Sequence, residues 1–305
     1  MRVTGLYVSK IKILADVDNK LAQVLKTSME ELGYINVTDN PEVYIMFLPL
    51  EEAIKEVASS WISGGHRSVM IDVTNDGNYV IPILNETRGG SIIGGLVADL
   101  MGAQLILTSR TAQLGLASIY EFAWINGLEV ISYDDIDELD KRLISKGKLS
   151  VFLDVEMPLR LLDGYHQVSS PKEADIVIGD PETDGVNMRP LDITVGLVHD
   201  SGVPEEVIYF SVTNTLKSLN LNERRINFVV VPGLDKNRDT RGSLGRKLGA
   251  STIFVEDPEV LGSANKVEGY SKTTICESLL QYMGTRVVLR GARRAYGVVT
   301  CLGVK

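Results

Sequence analysis

Five stretches of this 305-residue chain gather side chains that could do chemistry. The first is Ile81-Pro82-Ile83-Leu84-Asn85-Glu86-Thr87-Arg88-Gly89-Gly90, where an apolar run ends, polar residues collect and two glycines lead toward a helical pattern. Glycine lets backbone N–H groups approach a ligand, a helix N-terminus favours anions, and Arg88 adds a fork-shaped donor. The structural alternative is a plain strand-to-helix turn with Arg88 on a solvated face. The second stretch is Val195-Gly196-Leu197-Val198-His199-Asp200-Ser201-Gly202. Ligands commonly bind where a strand of an α/β sheet ends, and His199 beside Asp200 offers a general acid or base. A surface turn with Asp200 or Ser201 as a helix cap explains the same residues.

The third stretch is Gly233-Leu234-Asp235-Lys236. Lys236 could meet a substrate carboxylate, while Asp235 or Asp239 also suits a helix cap. In the fourth, Thr273-Thr274-Ile275-Cys276-Glu277, the Thr274-x-x-Glu277 spacing fits a capping box, which accounts for Glu277 structurally. The fifth is Leu289-Arg290-Gly291-Ala292-Arg293-Arg294. It reads as a strand-to-strand turn whose three guanidiniums either pair with carboxylates or face water. His66 and His166 have no partner spacing, so a metal held by the protein is not expected.

The elements that must position these stretches alternate between strand and helix periods. Residues 3–8 read as a strand, and Leu21, Val24, Leu25, Met29 and Leu32 follow helical spacing up to a stop at Gly33. Strands are expected over 43–48, 68–73, 79–84 and 104–108, with Asn75-Asp76-Gly77-Asn78 as a hairpin signal. Helices fill 51–62 and the stretch from Gly90 to about Met101. Residues 128–190 are less regular, with two strand candidates at 149–153 and 175–178. From 191 a second α/β unit begins, with strands at 193–197, 226–231 and 251–255, helices near Pro204, between the last two strands and over about 274–283, and a closing antiparallel pair at 286–289 and 296–302. The predicted class is α/β, as two α/β units with largely parallel sheets and a ligand cleft between them. The divisions are 1–127, a middle or linker region 128–190 that could pack with the first, and 191–305.

Composition narrows the function. Hydrophobic residues make up 44%, enough for sizeable cores. The formal net charge of −9 shows no basic stripe of the kind a nucleic-acid binder carries. No apolar run approaches the roughly 20 residues that span a bilayer, and charged residues interrupt Met1 to Lys20, so neither membrane insertion nor a signal peptide is expected. Cys276 and Cys301 are too few for a disulfide framework, which implies a reducing cytoplasm.

The order of these stretches resembles the cobalamin-biosynthesis protein G family. Val69-Met70-Ile71-Asp72-Val73, then Asp76-Gly77-Asn78-Tyr79-Val80-Ile81-Pro82-Ile83-Leu84, a Gly-Gly pair and Gly102-Ala103-Gln104-Leu105-Ile106-Leu107-Thr108 are similar to its N-terminal part. Val195-Gly196-Leu197, Gly202-Val203-Pro204-Glu205-Glu206-Val207, Lys236 with Asp239, and Ile275-Cys276-Glu277 are similar to its C-terminal part. The resemblance covers most of 45–127 and 191–305, and it rests on order rather than on any one motif. It implies hydrolytic opening of the δ-lactone of cobalt-precorrin-5A, with loss of acetaldehyde, to give cobalt-precorrin-5B. It also implies that no cofactor is needed, because the cobalt arrives with the tetrapyrrole substrate. On this reading Glu277 or His199 is the base. Thr87, Arg88, Gly89, Gly90, Gly196, Lys236, Arg290, Arg293 and Arg294 bind the substrate, with N–H groups near Gly89-Gly90 or Gly196 as oxyanion donors. A homo-oligomer is compatible with it.

Two loops depart from the family. Its Ser-Gly-His-x-Gly-Gly-Ala-Asn turn reads Asn85-Glu86-Thr87-Arg88-Gly89-Gly90-Ser91-Ile92 here, and its Cys-Arg-Arg-Gly-type turn reads His199-Asp200-Ser201-Gly202. These changes motivate a second reading, a non-catalytic corrinoid-binding homologue. A third is a nucleotide-binding α/β protein, against which the absence of GxGxxG and GxxxxGK[ST] counts.

Overall fold

The structure, a computed structural model, describes residues 10–32, 34–62, 68–131, 136–179, 185–233, 238–256, 272–285 and 287–305. The chain divides into two compact units. One holds residues 1–30 and 34–190, the other 31–33 and 191–305. The expected strand at 3–8, the helix stop at Gly33, and His66, Asp235 and Lys236 lie outside the described residues.

The first unit contains two sheets. β1 (Lys10–Leu14), β2 (Ile35–Asn36), β3 (Val43–Met46), β4 (Val69–Val73), β5 (Tyr79–Leu84) and β6 (Gln104–Leu105) form a six-stranded sheet of order β2-β1-β3-β4-β5-β6. All its pairs are parallel except β4 with β5. β1 has no counterpart among the sequence-predicted strands, because its lysines break the apolar pattern. β4 is buried along its whole length and reads as a near-continuous apolar run, as a strand covered on both faces should. The β4–β5 turn forms as its sequence predicts. The Asp76 carboxylate accepts from Thr74 Oγ1 and the Asn78 N–H, and Gly77 takes a φ of 72°.

Helices α1 (Lys20–Glu31), α2 (Leu50–Ile62) and α3 (Gly90–Met101) belong to this layer. α1 starts where Asn19 Oδ1 accepts the Ala22 N–H, and it buries Ala22, Leu25 and Met29 on one stripe. After the short α4 (Arg110–Gln113) and α5 (Ile119–Ile125), the middle segment builds a sheet of its own. β7 (Leu128–Val130), β8 (Leu149–Leu153), β9 (Tyr165–Gln167), β10 (Ile176–Ile178) and β11 (Val186–Pro190) run in the order β7-β11-β10-β8-β9. Only β7 with β11 is antiparallel. Within it α6 (Ile136–Lys146) buries Ile136, Leu139 and Leu143. The described residues of 128–190 thus form a regular α/β layer, in the same compact unit as the first sheet. β8 and β10 match the expected strands at 149–153 and 175–178, while β7, β9 and β11 are too short to show a period in sequence.

The second unit has one five-stranded sheet of β12 (Ile193–His199), β13 (Ile226–Pro232), β14 (Ser251–Val255), β15 (Val287–Ala295) and β16 (Val298–Val304), ordered β14-β13-β12-β16-β15. β12, β13 and β14 are parallel, and β16 and β15 pair antiparallel. Helices α7 (Glu205–Lys217), α8 (Arg238–Leu248) and α9 (Lys272–Tyr282) complete it. Three sequence expectations change here. Pro204, not Asp200 or Ser201, stands at the N-cap of α7. α9 begins at Lys272, which leaves Thr274 inside the helix and removes the capping-box role of Glu277. The arginine run lies within β15, and the turn is Tyr296-Gly297. Contrary to the reduced pair that the sequence suggested, Cys276 and Cys301, both fully buried, are joined in a disulfide that links α9 to β16, so the cysteine count gives no support to a reducing compartment. Closing a loop of 25 residues stabilises the fold by about 3 kcal/mol on the chain-entropy model. Among the described residues no helix is long and apolar enough to cross a membrane.

Candidate functional site

In the first unit the loop from Asn85 to Gly90 is a hub for three helix N-termini. Glu86 is buried, and its carboxylate accepts from the Thr108 N–H and Oγ1 and from the Ser109 N–H, at 2.8–2.9 Å. Ser109 is also the N-cap of α4. The Thr87 carbonyl accepts from Ser118 Oγ at 3.1 Å, and Ser118 caps α5 in a capping box with Glu121. Arg88 makes an ion pair with Asp137 on α6. Asp140, one turn later, has an oxygen with no partner among the described residues, and burial pushes its carboxyl up to about 6 against the pull of the Ile119 N–H.

The third N-terminus, that of α3, is left open. Gly90 must be glycine, since a Cβ there would lie 2.9 Å from the Asn85 carbonyl oxygen. Its N–H donates to that same oxygen at 3.0 Å and is thereby taken up by the turn. Gly89 at the N-cap makes no side-chain cap. Among the described residues the next two amides, Ser91 and Ile92, have no acceptor. Ser91 Oγ is buried and also lacks a partner. Helical side chains lean toward the N-terminus, so the hydroxyl and two amides share one end of the helix, where the dipole favours negative charge. Sequence reasoning missed Ser91 and Asp140. The glycine pair pointed to the right helix end, but which amide stays open depends on how the turn closes.

In the second unit, His199 ends β12, and its Nδ1 lies 2.8 Å from the Asp200 carbonyl oxygen. A carbonyl only accepts, so the neutral ring carries its proton on Nδ1 and its basic lone pair on Nε2. The Asp200 N–H donates to the Gly297 carbonyl at 2.8 Å, and Arg294 donates to Asp200 Oδ2 at 3.0 Å. His199, Asp200 and Arg294 therefore stand together at the carboxyl end of the parallel strands, where ligands bind in such sheets. Glu277 on α9 accepts from the Ala292 N–H at a long 3.5 Å. Arg290 and Arg293 lie on the face of the sheet opposite Glu277 and α9, which by register is also the face of His199. Their β16 partners are Leu302 and Thr300, and Thr300 reaches α7 by a 2.7 Å hydroxyl contact with Thr215.

Gly196 has a different role from the expected one. It sits between β13 and β16 with its backbone in the sheet. A Cβ would come 2.5 Å from Cys301 Sγ and 2.8 Å from the Cys276 carbonyl. The glycine makes room for the disulfide and offers no N–H to a substrate. Lys236 lies outside the described residues. Among the described residues no group of three His, Cys, Asp or Glu could hold a metal ion.

Comparison with known proteins finds similarity in sequence and in fold. No family model matches the chain. Over 228 residues it is 22% identical to a protein of Methanocaldococcus jannaschii named probable cobalt-precorrin-5A hydrolase, spanning 72% of this chain and 69% of that one. Its fold is similar to the crystal structure of a protein from Sulfolobus solfataricus assigned as a cobalamin biosynthesis protein G homolog, with a TM-score of 0.56, 16% identity and 99% of each chain covered.

Proposed function

We propose that this chain, which resembles the cobalamin-biosynthesis protein G family in sequence and fold, works in cobalamin biosynthesis by opening the δ-lactone of cobalt-precorrin-5A. The observation that carries the proposal is the 22% identity over 228 residues to the named hydrolase. The reaction consumes one water and releases acetaldehyde with cobalt-precorrin-5B. The cobalt is part of the substrate, and the setting on this reading is cytoplasmic. Lactone hydrolysis needs a base to take a proton from water and donors to hold the developing oxyanion. His199, through Nε2, and Glu277 are the candidate bases. Separately, in the first unit, the open α3 end, with the Ser91 and Ile92 amides and the Ser91 hydroxyl, has the donor set for an anionic group of the substrate.

The test is acetaldehyde release from cobalt-precorrin-5A under anaerobic conditions. Release above the uncatalysed rate is expected, and its loss in His199→Ala or Glu277→Gln would identify the base. A second reading, a corrinoid binder without turnover, is favoured by the closed Gly90 amide and by Thr87 where the family has histidine. It predicts a change in the corrin absorption spectrum on mixing and no acetaldehyde.

A further inference from the structure

Among the described residues Arg290 is a buried charge without a counter-ion: it is 7% exposed, its Nε has no hydrogen-bond partner there, and it makes no ion pair. Buried guanidiniums are normally paired, because a lone charge is costly to take out of water. Burial first, and then repulsion from Arg293, push its pKa down to about 10, so it remains charged at neutral pH.

The backbone keeps this arrangement in place. β15 is the edge strand, and its register against β16 slips twice, between Val288 and Arg290 and again between Arg290 and Arg293. In a regular strand, residues three apart point to opposite faces. The second slip sets three steps of β15 against two of β16, from Leu302 to Thr300, so Arg290 and Arg293 share the face of Thr300. Ala292, between them, packs instead against the cluster of Cys276, Leu279 and Leu280 on the α9 side. Bulges at sheet edges re-aim side chains in this way. Two like charges are thus held on one face, one of them deep. Arg294 differs, since Asp200 already neutralises it.

We infer that Arg290, seconded by Arg293, is the site that receives a ligand carboxylate in the second unit. A planar fork matches the two oxygens of a carboxylate, and an arriving anion removes both the desolvation penalty and the Arg290–Arg293 repulsion. The inference rests on the corrinoid reading only for which carboxylate arrives, an acetate or propionate arm of the tetrapyrrole.

Thermal unfolding of the full chain in succinate, in phosphate and in chloride at matched ionic strength tests the site itself. Succinate should raise the unfolding temperature above the chloride value, and Arg290→Met should abolish that increment. In chloride, Arg290→Met should unfold at the parent's temperature or higher, because an uncompensated charge has gone. Arg290→Lys, which keeps the charge and loses the fork, should show a reduced increment. An undiminished succinate increment in the variants, a larger increment with phosphate, or an Arg290→Met protein that unfolds well below the parent in chloride would each overturn the assignment. Binding of uroporphyrin, a polycarboxylate tetrapyrrole, should weaken about tenfold or more in Arg290→Met, the loss of at least one good charge-assisted contact. Uroporphyrin binding unchanged by Arg290→Met would sink this inference and leave the corrinoid reading standing. An Arg290-dependent succinate effect without uroporphyrin binding would do the reverse.

Discussion

Among the described residues each unit holds a deeply buried charged group with no counter-ion, and the two have opposite sign. In the first unit Asp72, near the carboxyl end of β4, is 1% exposed with Oδ1 unpartnered among the described residues. In the second, Arg290 is 7% exposed with its Nε unpartnered. Burial pushes Asp72 up to about 6, only partly opposed by the amides of Leu48 and Val73. A carboxyl can therefore relieve its own penalty by taking a proton under mildly acidic conditions. The guanidinium, with its pKa about 10, has no such escape near neutrality and is relieved only by an anion from outside. The same structural defect makes a pH-sensitive packing group in one unit and a binding group in the other.

That contrast can be broken in three places. The largest effect is expected at Asp72. Its folded pKa lies above the ordinary value of 3.8, so the native state binds the proton more tightly than the unfolded state. The corresponding stability is fully present below about pH 4 and is lost as pH rises through about 6. Asp72→Asn should accordingly be more stable than the parent at pH 7.5 by up to about 3 kcal/mol, because holding the charged carboxylate in the fold costs about 1.4 kcal/mol for each pH unit between 3.8 and about 6. In urea titrations the gap between the two proteins should close toward pH 4. A gap independent of pH would mean that Asp72 is not a lone buried charge. Glu86 provides the opposite case, a buried carboxylate facing three donors. Glu86→Gln places an NH₂ against one or more of them and should lower stability by about 2 kcal/mol in the same titrations. A neutral result would show that the hub around the α3 turn is held by packing alone. The smallest effect belongs to Arg88, whose partner Asp137 is 68% exposed. Asp137→Asn should change stability by less than about 1 kcal/mol. A larger loss would place Arg88 among the structural ions and remove it from the candidate ligand set.

Much of the frame was readable from the residues. The β4–β5 hairpin, β12, β13, β14, α1, α2 and α7 all show a clear period or turn signal, and each lies within a residue or two of its expected place. β1 was hidden by its lysines; of the middle sheet, β8 and β10 stand where the sequence placed them, while the short β7, β9 and β11 were not recognised. The candidate site was legible only in part. Gly89-Gly90 marked the α3 end, yet the open donors are one and two residues further on, because the Gly90 amide closes the turn on Asn85. Gly196 looked like a ligand-approach glycine and proved to be a packing glycine, since its need for space comes from sulfur atoms 80 and 105 positions away in the chain.

The sequence by itself determined the α/β class, the strand and helix periods and the set of charged side chains at hand, because those follow from local pattern and composition. Tertiary structure alone decided which of those charges found partners. Arg88 met Asp137, Arg294 met Asp200, Cys276 met Cys301, and a one-residue slip in β15 turned Arg290 and Arg293 to the same face. A charge's partner is set by distance in space and by strand register, and neither is written in the spacing of residues along the chain.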